Sequence, residues 1–331
     1  MAEIGVIGSG SWGTAITWLL GNNGHNVVLW SYSEKNTAMF EKYHENTDRL
    51  PGVKLPNAVK YTSDIAEAVL NKDLLVCAVP SHAIRATAAM MKDLVHDGQI
   101  IVVLTKGVEE ATLMLMTDVV KDEIKNADVA ALSGPTHAEE VGKGLPSAIV
   151  VAAENIRTAQ YIQEIFTTPA FRVYTSDDMT GVEIGAALKN VIALAAGMAD
   201  GLGFGDNTKA ALITRGIAEI SRLGIAMGAK KETFSGLSGI GDLIVTCSSV
   251  HSRNRKAGFL IGQGFKYKEA MEKVHQVVEG VYSAKAANDL AKKYGVEMPI
   301  VAQVNRILFG DEPARSAVME LMHRDLKHEN E

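Results

Sequence analysis

Three glycines with the spacing Gly8-x-Gly10-x-x-Gly13 constrain the fold of this chain more than any other feature of its sequence. A strand-like run over 4–7 precedes them, and a helical pattern over 15–20 follows. The first glycine permits a tight turn, the second lets a pyrophosphate approach the backbone, and the third lets helix and strand pack closely. The helix N-terminus adds free N–H groups and a partial positive charge. The sequence therefore predicts a βαβ unit that binds NAD or NADP.

The residues after the second strand leave the choice between the two dinucleotides open. That strand ends at Trp30, where an acidic residue would favour the ribose hydroxyls of NAD and a nearby arginine the phosphate of NADP. The chain instead has Ser31-Tyr32-Ser33, with Glu34 and Lys35 following late. We interpret Ser31 as a cofactor contact. Serine hydroxyls at the end of this strand, with no acidic residue beside them, slightly favour tolerance of NADP. An equally good interpretation is that these residues only begin a helix.

Apolar strand-like runs alternate with helical stretches through the first half of the chain. Continuous runs of this kind are typical of parallel strands buried on both faces. The sequence predicts an α/β fold in which an N-terminal, Rossmann-like, doubly wound, mostly parallel sheet ends near Ser176. A helix is expected over 156–166. The predicted strands after the first lie at 27–30, 74–79, 100–104, 129–132, 148–152 and 171–174.

Helical periodicity with many small residues replaces the strand pattern after Ser176. We predict two domains: a dinucleotide-binding domain over 1–176 and an all-α domain over 177–331 that binds substrate. A glycine-rich joint over 201–207 separates two of the helices, and the polar tail over 327–331 is expected to fray. The predicted helices of the second domain lie at 179–199, 209–227, 281–294 and 301–309.

Composition excludes several classes of function. The 331 residues carry a net charge of −6, which gives no basic face for nucleic acid. Cys77 and Cys247 form no CxxC motif, and the nine histidines form no HxH or HExxH motif, so we expect neither a disulfide nor a metal. No N-terminal signal is visible, and the apolar run over 191–198 is short for a membrane span. We expect a cytoplasmic enzyme without an integral membrane segment.

Six segments, distributed over both predicted domains, resemble in their order the bacterial-type NAD(P)-dependent glycerol-3-phosphate dehydrogenases. The resemblance covers nearly the whole chain and implies reversible reduction of dihydroxyacetone phosphate to sn-glycerol 3-phosphate for phospholipid synthesis. It also makes Ser11 and Trp12 part of the cofactor site. The segments are Ser9-Gly10-Ser11-Trp12-Gly13-Thr14-Ala15, Thr105-Lys106-Gly107, Ser133-Gly134-Pro135-Thr136, Ala187-Leu188-Lys189-Asn190, Gly239-Ile240-Gly241-Asp242-Leu243 and Ser252-Arg253-Asn254-Arg255.

Lys189 is the candidate for proton transfer. Reduction of a ketone needs a proton for the oxygen that becomes an alkoxide. Burial of Lys189 among small residues would lower its pKa towards neutral, and it would leave room for substrate or a cofactor ring. The alternative is a lysine that extends from a buried helix to solvent. The resemblance implies that Lys189 accepts the proton in glycerol phosphate oxidation. The small residues are Gly185, Ala186, Ala193 and Ala196.

Lys106 follows an apolar strand and is therefore expected at the carboxyl edge of the sheet, where such folds bind ligands. The alternative is a solvated strand end. The resemblance implies that Lys106 contacts both cofactor and substrate, that Gly134 and Thr136 line the substrate pocket, and that Ala138 lies on the cofactor side. His137 stands where the family carries an aromatic residue, and we interpret it as packing or pocket wall.

The run Ser252-Arg253-Asn254 offers hydroxyl, guanidinium and amide donors, and a guanidinium matches phosphate oxygens in geometry. A solvated basic loop is the alternative. Asp242, in the neighbouring Gly-x-Gly-Asp pattern, could hydrogen-bond a substrate hydroxyl or orient Lys189. The resemblance assigns all four to substrate binding, with Arg253 also reaching the cofactor. Val277 and Glu279 correspond to further cofactor contacts, although Glu279 could equally be a surface charge.

Two other functions compete with this interpretation. One is an NAD(P)-dependent dehydrogenase of a non-phosphorylated 3-hydroxyacid or ketopantoate. Related hydroxyacid enzymes often place an asparagine one turn after the lysine, whereas this chain has Ala193 there and Asn190 directly after the lysine. The other is a non-catalytic NAD(P) sensor, against which the joint presence of Lys189, Asp242 and Arg253 argues. A homodimer formed through the helical domain is an open alternative to a monomer.

Overall fold

The computed structural model describes residues 1–326 and 328–329, and the expectation for the remaining positions of the tail lies outside the described residues. Eight strands form one sheet in the order β3-β2-β1-β4-β5-β6-β7-β8. The strands are β1 (Glu3–Ile7), β2 (Asn26–Trp30), β3 (Lys60–Thr62), β4 (Leu74–Cys77), β5 (Ile100–Val103), β6 (Asp128–Ser133), β7 (Ser147–Ala153) and β8 (Phe171–Ser176).

Every neighbouring pair in the sheet is parallel except β6 and β7, which are antiparallel. The predicted mostly parallel, Rossmann-like sheet is therefore confirmed, and its last strand ends at Ser176 as expected. The sequence interpretation misses the edge strand β3. Its three residues, Lys60-Tyr61-Thr62, contain no apolar run, because an edge strand is not buried on both faces.

Alternate residues of the strands enter two cores, one on each face of the sheet. Val6 and Val76 belong to one core, whereas their chain neighbours Ile7 and Cys77 belong to the other. Burial on both faces explains the continuous apolar runs of these strands. The helices of this half are α1 (Ser11–Asn22), α2 (Glu34–Tyr43), α3 (Ile65–Val69), α4 (Ile84–Met91), α5 (Met116–Glu123), α6 (Ala138–Val141) and α7 (Ile156–Phe166).

The rest of the chain is helical, as predicted, and α8 forms its centre. A 3₁₀ turn (Lys231–Ser235) and a π-helical segment (Leu237–Gly241) precede α10. Four of the helices correspond to the predicted periodic segments, and the shorter α10, α11, α12 and α15 were not predicted individually. The helices are α8 (Met179–Gly201), α9 (Asp206–Ala226), α10 (Asp242–Ser248), α11 (Arg253–Gly262), α12 (Tyr267–Val274), α13 (Glu279–Tyr294), α14 (Pro299–Phe309) and α15 (Ala314–Met322).

Helix α8 packs so closely against α11 that glycines are needed on both helices. A Cβ at Gly197 would stand 2.0 Å from the carbonyl oxygen of Arg255, and one at Gly258 would stand 2.1 Å from that of Leu194. By length and composition α8 could cross a membrane, but its whole apolar window is buried within the protein. It is therefore the core helix of this half, and its full length exceeds the short apolar run noted in the sequence.

Both cysteines are buried and free. Within residues 1–326 and 328–329, no group of three or more His, Cys, Asp or Glu side chains is arranged to hold a metal ion.

Candidate active site

Lys189, Asp242 and Thr246 form a buried cluster between α8 and α10. Lys189 Nζ donates to Asp242 Oδ1 at 2.5 Å and to Thr246 Oγ1 at 2.8 Å. The Thr246 hydroxyl donates in turn to the backbone carbonyl of Asp242 at 2.6 Å, one helical turn earlier. The Lys189 side chain is 7% exposed and that of Asp242 is 1% exposed. The structure thus joins the predicted lysine and aspartate in a place from which bulk water is almost excluded.

Burial and charge compete in setting the protonation of this pair. Burial is the largest influence on Lys189 and lowers the pKa of its amine to about 7, against the upward effect of the Asp242 charge. Burial alone would raise the pKa of Asp242, but the charges of Lys106 and Lys189 hold it below its ordinary value. A lysine with a near-neutral pKa can both give and accept a proton, while the carboxylate beside it stays ionised.

Contact between Lys189 and Asp242 depends on the close approach of α8 to the π-helical segment before α10. Gly185 lies one turn before Lys189, and a Cβ there would stand 2.6 Å from the carbonyl oxygen of Ser238. Gly239, inside the segment, has a non-helical backbone with φ −94° and ψ −109°. Short π-helical segments next to α-helices are frequent at functional sites. The irregular turn directs Asp242 towards α8, and Gly185 permits the approach.

The expectation that small residues around Lys189 leave room for a ligand is wrong. Gly185 admits the Ser238 carbonyl instead, and Ala186, Ala193 and Ala196 are at most 2% exposed. Ala193 and Ala196 belong to the hydrophobic core of the helical half. A pattern of small residues indicates close approach, but it does not distinguish a ligand from another part of the chain.

Lys106 reaches the Asp242 carboxylate from the sheet. It follows β5 at the carboxyl edge, as predicted, and its Nζ lies 2.7 Å from Asp242 Oδ2. The same Nζ donates to the carbonyl oxygen of Gly134 at 3.0 Å, and Thr136 Oγ1 donates to that oxygen at 3.2 Å. The structure therefore brings Lys106, Gly134 and Thr136 together beside Asp242. The Asp242 carboxylate lies between the amines of Lys106 and Lys189.

Helix α11 begins at Arg253 with Ser252 as its N-cap, and its first backbone N–H groups form a natural anion site. The Ser252 hydroxyl oxygen caps the helix by accepting from the Arg255 N–H at 3.2 Å, which leaves its own proton free to donate. The Arg253 side chain is exposed and makes no ion pair with any described residue. A guanidinium without a carboxylate partner at a helix N-terminus is suited to an anionic ligand.

Asn254 is largely engaged within the protein. Its amide donates to Asn190 Oδ1 at 2.9 Å, and its side-chain oxygen accepts from the Gly280 N–H at 2.8 Å. These bonds tie α11 to α8 and to the start of α13. One amide hydrogen takes no part in these bonds, and the observed role of Asn254 is to hold the three helices together.

Glu279 and Ser81 connect the helical half to the loop after β4. Ser81 donates to the Glu279 carboxylate from its backbone N–H at 3.2 Å and from its hydroxyl at 2.5 Å. Burial raises the pKa of Glu279 in spite of these bonds. Glu279 is therefore not the surface charge that was the alternative interpretation. Val277, half-buried, precedes α13, and the buried Ala138 begins α6.

The glycine turn has a geometry that fits a dinucleotide. Gly8 has φ 117°, in the region that favours glycine, and a Cβ at Gly13 would stand 1.9 Å from the Gly8 carbonyl oxygen. A Cβ at Gly10 would meet no protein atom within 4 Å. Helix α1 begins at Ser11, and no side chain caps it at Gly10. Its first N–H groups are therefore available to phosphate oxygens above an open glycine.

Ser31 lies beside this turn, and its hydroxyl oxygen is 2.7 Å from that of Ser9. The residue is buried, with 2% of its surface exposed. The neighbouring Tyr32 is 83% exposed. Trp12 packs against the N-terminal core, and its buried indole N–H has no hydrogen-bond partner among the described residues. Neither an acid nor an arginine stands at the end of β2, so NAD and NADP remain alternatives.

The sequence interpretation misses Thr246 and Ser81. Thr246 lies four residues after Asp242 and therefore on the same face of α10, a spacing that could have indicated it. No signal in the sequence indicates Ser81, because its partner Glu279 is 198 positions away in the chain.

Comparison with known proteins places these features in a family. Residues 3–159 match the family described as NAD-dependent glycerol-3-phosphate dehydrogenase N-terminus, and residues 178–319 match the corresponding C-terminus. A glycerol-3-phosphate dehydrogenase [NAD(P)+] from Agathobacter rectalis is 60% identical over 330 residues, which cover 100% of this chain and 98% of that protein. One from Fusobacterium nucleatum is 58% identical and covers 99% of both chains.

Solved structures agree with these matches. Glycerol-3-phosphate dehydrogenase from Coxiella burnetii superposes with a TM-score of 0.94 at 38% identity, covering 98% of this chain and 99% of that chain. A ketopantoate reductase from Ralstonia eutropha has a TM-score of 0.61 at 16% identity, covering 97% of this chain and 99% of that chain. The latter likeness shows a common fold only.

Proposed function

This chain belongs to the NAD-dependent glycerol-3-phosphate dehydrogenase family, and from that premise we propose that it reversibly reduces dihydroxyacetone phosphate to sn-glycerol 3-phosphate with NADH or NADPH. One observation carries the proposal. A buried lysine with a near-neutral pKa, Lys189, is held by Asp242 at the carboxyl edge of the sheet that bears the glycine turn.

Reduction of the ketone requires a hydride at its carbonyl carbon and a proton at its oxygen. A nicotinamide dinucleotide, when bound at the glycine turn, would supply the hydride. Lys189 donates its Nζ proton to the oxygen during reduction and takes a proton back during oxidation. Asp242 remains ionised and orients Nζ, assisted by the Thr246 hydroxyl. The charge of Lys106 stabilises the negative charge that develops on the oxygen.

The N-terminus of α11 is assigned to the substrate phosphate. Arg253 supplies a planar fork of donors, and Ser252 and Asn254 each retain a proton for a phosphate oxygen. Gly134 and Thr136, on the loop held by Lys106, face the carbon chain. A non-phosphorylated hydroxyacid would leave the Arg253 guanidinium without a counter-charge.

Residues of both halves are assigned to the dinucleotide. The turn of Gly8, Gly10 and Gly13 would hold the pyrophosphate at the start of α1, and Lys106 and Arg253 would contact the cofactor as well as the substrate. The remaining assigned contacts are Ser11, Trp12, Ser31, Ala138, Val277 and Glu279.

The same family membership supports a wider role for the protein. We assign residues 1–176 to cofactor binding and 177–331 to substrate binding and catalysis. The product is the glycerol phosphate backbone of phospholipids, and we place its synthesis in the cytoplasm. We assign the subunit interface of a homodimer to the helical domain.

The decisive experiment follows nicotinamide absorbance with purified protein, dihydroxyacetone phosphate and each cofactor in turn. We expect oxidation of NADH or NADPH that depends on the ketone. Unphosphorylated dihydroxyacetone, ketopantoate and a 3-oxoacid should be turned over far more slowly. Faster turnover of either acid would favour a hydroxyacid dehydrogenase, and cofactor binding without turnover of any substrate would favour a sensor.

A further inference from the structure

His137 has a polar atom that the fold leaves unsatisfied. It lies directly before α6, three residues after Gly134, and its backbone carbonyl accepts from Glu140 and Val141. Its side-chain Nε2 is buried without a hydrogen-bond partner among the described residues. A buried polar atom in this state costs stability unless a ligand or an ordered water satisfies it.

The charged groups that act on the His137 imidazole are those of the candidate active site. Burial lowers the pKa of the imidazole, and the charges of Lys189 and Lys106 lower it further, whereas those of Glu139 and Asp242 act in the opposite direction. The ring centroid of His251, one residue before Ser252, lies 5.9 Å from that of His137. The imidazole therefore packs against the residue before Ser252, follows the pocket residue Thr136 in the chain and lies within electrostatic range of the two lysines.

The cationic groups of the site already have assigned partners on the substrate. Lys189 and Lys106 serve the carbonyl oxygen, and Arg253 with the α11 N-terminus serves the phosphate. These cationic groups leave the free primary hydroxyl of dihydroxyacetone phosphate without a partner. A neutral imidazole, with one donor and one acceptor nitrogen, matches an uncharged hydroxyl better than it matches a phosphate dianion.

We propose that His137 is a specificity-determining residue whose Nε2 hydrogen-bonds the free primary hydroxyl of the three-carbon substrate. This inference rests on the proposed function. A site with a buried polar atom of this kind rejects an analogue that lacks the matching hydroxyl, because the atom is then left unpaired. His137 thus selects for a hydroxymethyl ketone over a methyl ketone.

The test compares dihydroxyacetone phosphate with hydroxyacetone phosphate, which lacks only that hydroxyl, as substrates of the wild type and of His137→Phe. The ratio of kcat/KM for the two substrates should fall about tenfold in the variant, the scale of one hydrogen bond to a buried group. His137→Asn, which keeps a polar side chain, should retain part of the preference. His251→Phe, the same change on the ring partner, should leave the ratio within about twofold.

Thermal unfolding separates this role from a packing role. Phenylalanine fills a similar volume and removes the unsatisfied nitrogen, so His137→Phe should unfold at the same temperature as the wild type or higher. Equal losses of kcat/KM for both substrates, or no loss for either, would overturn the inference, since both results exclude a contact with the hydroxyl. Absence of turnover of dihydroxyacetone phosphate by the wild type would instead reject the proposed function, and this inference with it.

Discussion

Lys189 Nζ lies 2.5 Å from Asp242 Oδ1, in a contact whose two side chains are almost inaccessible to water. The second oxygen of the same carboxylate lies 2.7 Å from Lys106 Nζ. One negative charge is therefore shared by two lysines. The positive charge of Lys106 acts in the same direction as burial and keeps the pKa of Lys189 near neutral. In the proposed mechanism, proton transfer, charge stabilisation and orientation all depend on this three-residue arrangement.

Replacement of Lys189 by methionine should lower kcat for the reduction of dihydroxyacetone phosphate by about 100-fold or more, because the proton donor is lost. Asp242 keeps Lys106 as its partner, so the fold should persist. Steady-state kinetics and circular dichroism of the variant test this. The matched control is Lys230→Met, which removes a surface lysine paired with Asp177 and should stay within about twofold. Normal turnover by a folded Lys189→Met protein would contradict the mechanism.

Asp242→Asn should shift the pH profile of reduction towards acid. The Asp242 charge raises the pKa of Lys189, so its removal lowers that pKa further. Reduction needs the protonated amine, which is present below the pKa and lost as pH rises through it. Activity at pH 7 should fall at least about tenfold and recover partly at lower pH. A profile of kcat/KM against pH tests this, with Asp177→Asn as the surface control, and an unmoved limb would refute the assignment.

Gly185→Ala should reduce both stability and turnover. The added methyl would stand 2.6 Å from the Ser238 carbonyl oxygen and push α8 away from the turn that carries Asp242. Alanine gains about 1 kcal/mol of helix propensity, but overpacking against backbone costs about 1–3 kcal/mol. Gly205→Ala is the matched control, since a Cβ there meets nothing within 4 Å. Denaturant unfolding and kcat measure the two effects, and equal behaviour of the variants would argue against the close approach.

Two glycines of the turn should respond differently to alanine. Gly13→Ala places a methyl 1.9 Å from the Gly8 carbonyl oxygen and should destabilise the fold by about 1–3 kcal/mol or more. Gly10→Ala meets no protein atom, so the unfolding temperature should be unchanged while NADH affinity falls at least about tenfold. Thermal unfolding and titration of nicotinamide fluorescence measure the difference. Full cofactor affinity in Gly10→Ala would mean that the pyrophosphate lies elsewhere.

Glu183 should make stability fall with rising pH. Its buried carboxylate accepts from the Thr117 N–H at 3.0 Å and hydroxyl at 2.6 Å, and burial raises its pKa from 4.5 to about 7. The folded state therefore holds a proton that the unfolded state releases. The resulting stability is complete below about pH 4.5 and is lost by about pH 7, at most about 3 kcal/mol.

Glu183→Gln removes that titration and should flatten the dependence of unfolding free energy on pH between about 4.5 and 7. The slope should not vanish, because burial also raises the pKa of Glu219 to about 7. A slope identical to that of the wild type would show that Glu183 is ionised throughout.

Much of the fold followed from local patterns. Continuous apolar strands, the spacing of Gly8, Gly10 and Gly13 and the switch to helical periodicity after Ser176 are properties of neighbouring residues, so the sequence alone predicted the sheet and the helical half. The helix Ile156–Phe166 has the predicted bounds. The edge strand Lys60–Thr62 escaped prediction because it has no apolar run.

What the sequence by itself determined was the type of chemistry: a dinucleotide turn, a lysine within an apolar helix and an arginine after a helix break. Only the tertiary structure decided which groups meet. Lys189, Lys106 and Asp242 come from α8, the loop after β5 and the start of α10, and no spacing in the chain predicts a contact between them. The small residues near Lys189 show the same limit, because both a ligand and a backbone carbonyl require space, and packing between distant segments determines which one occupies it.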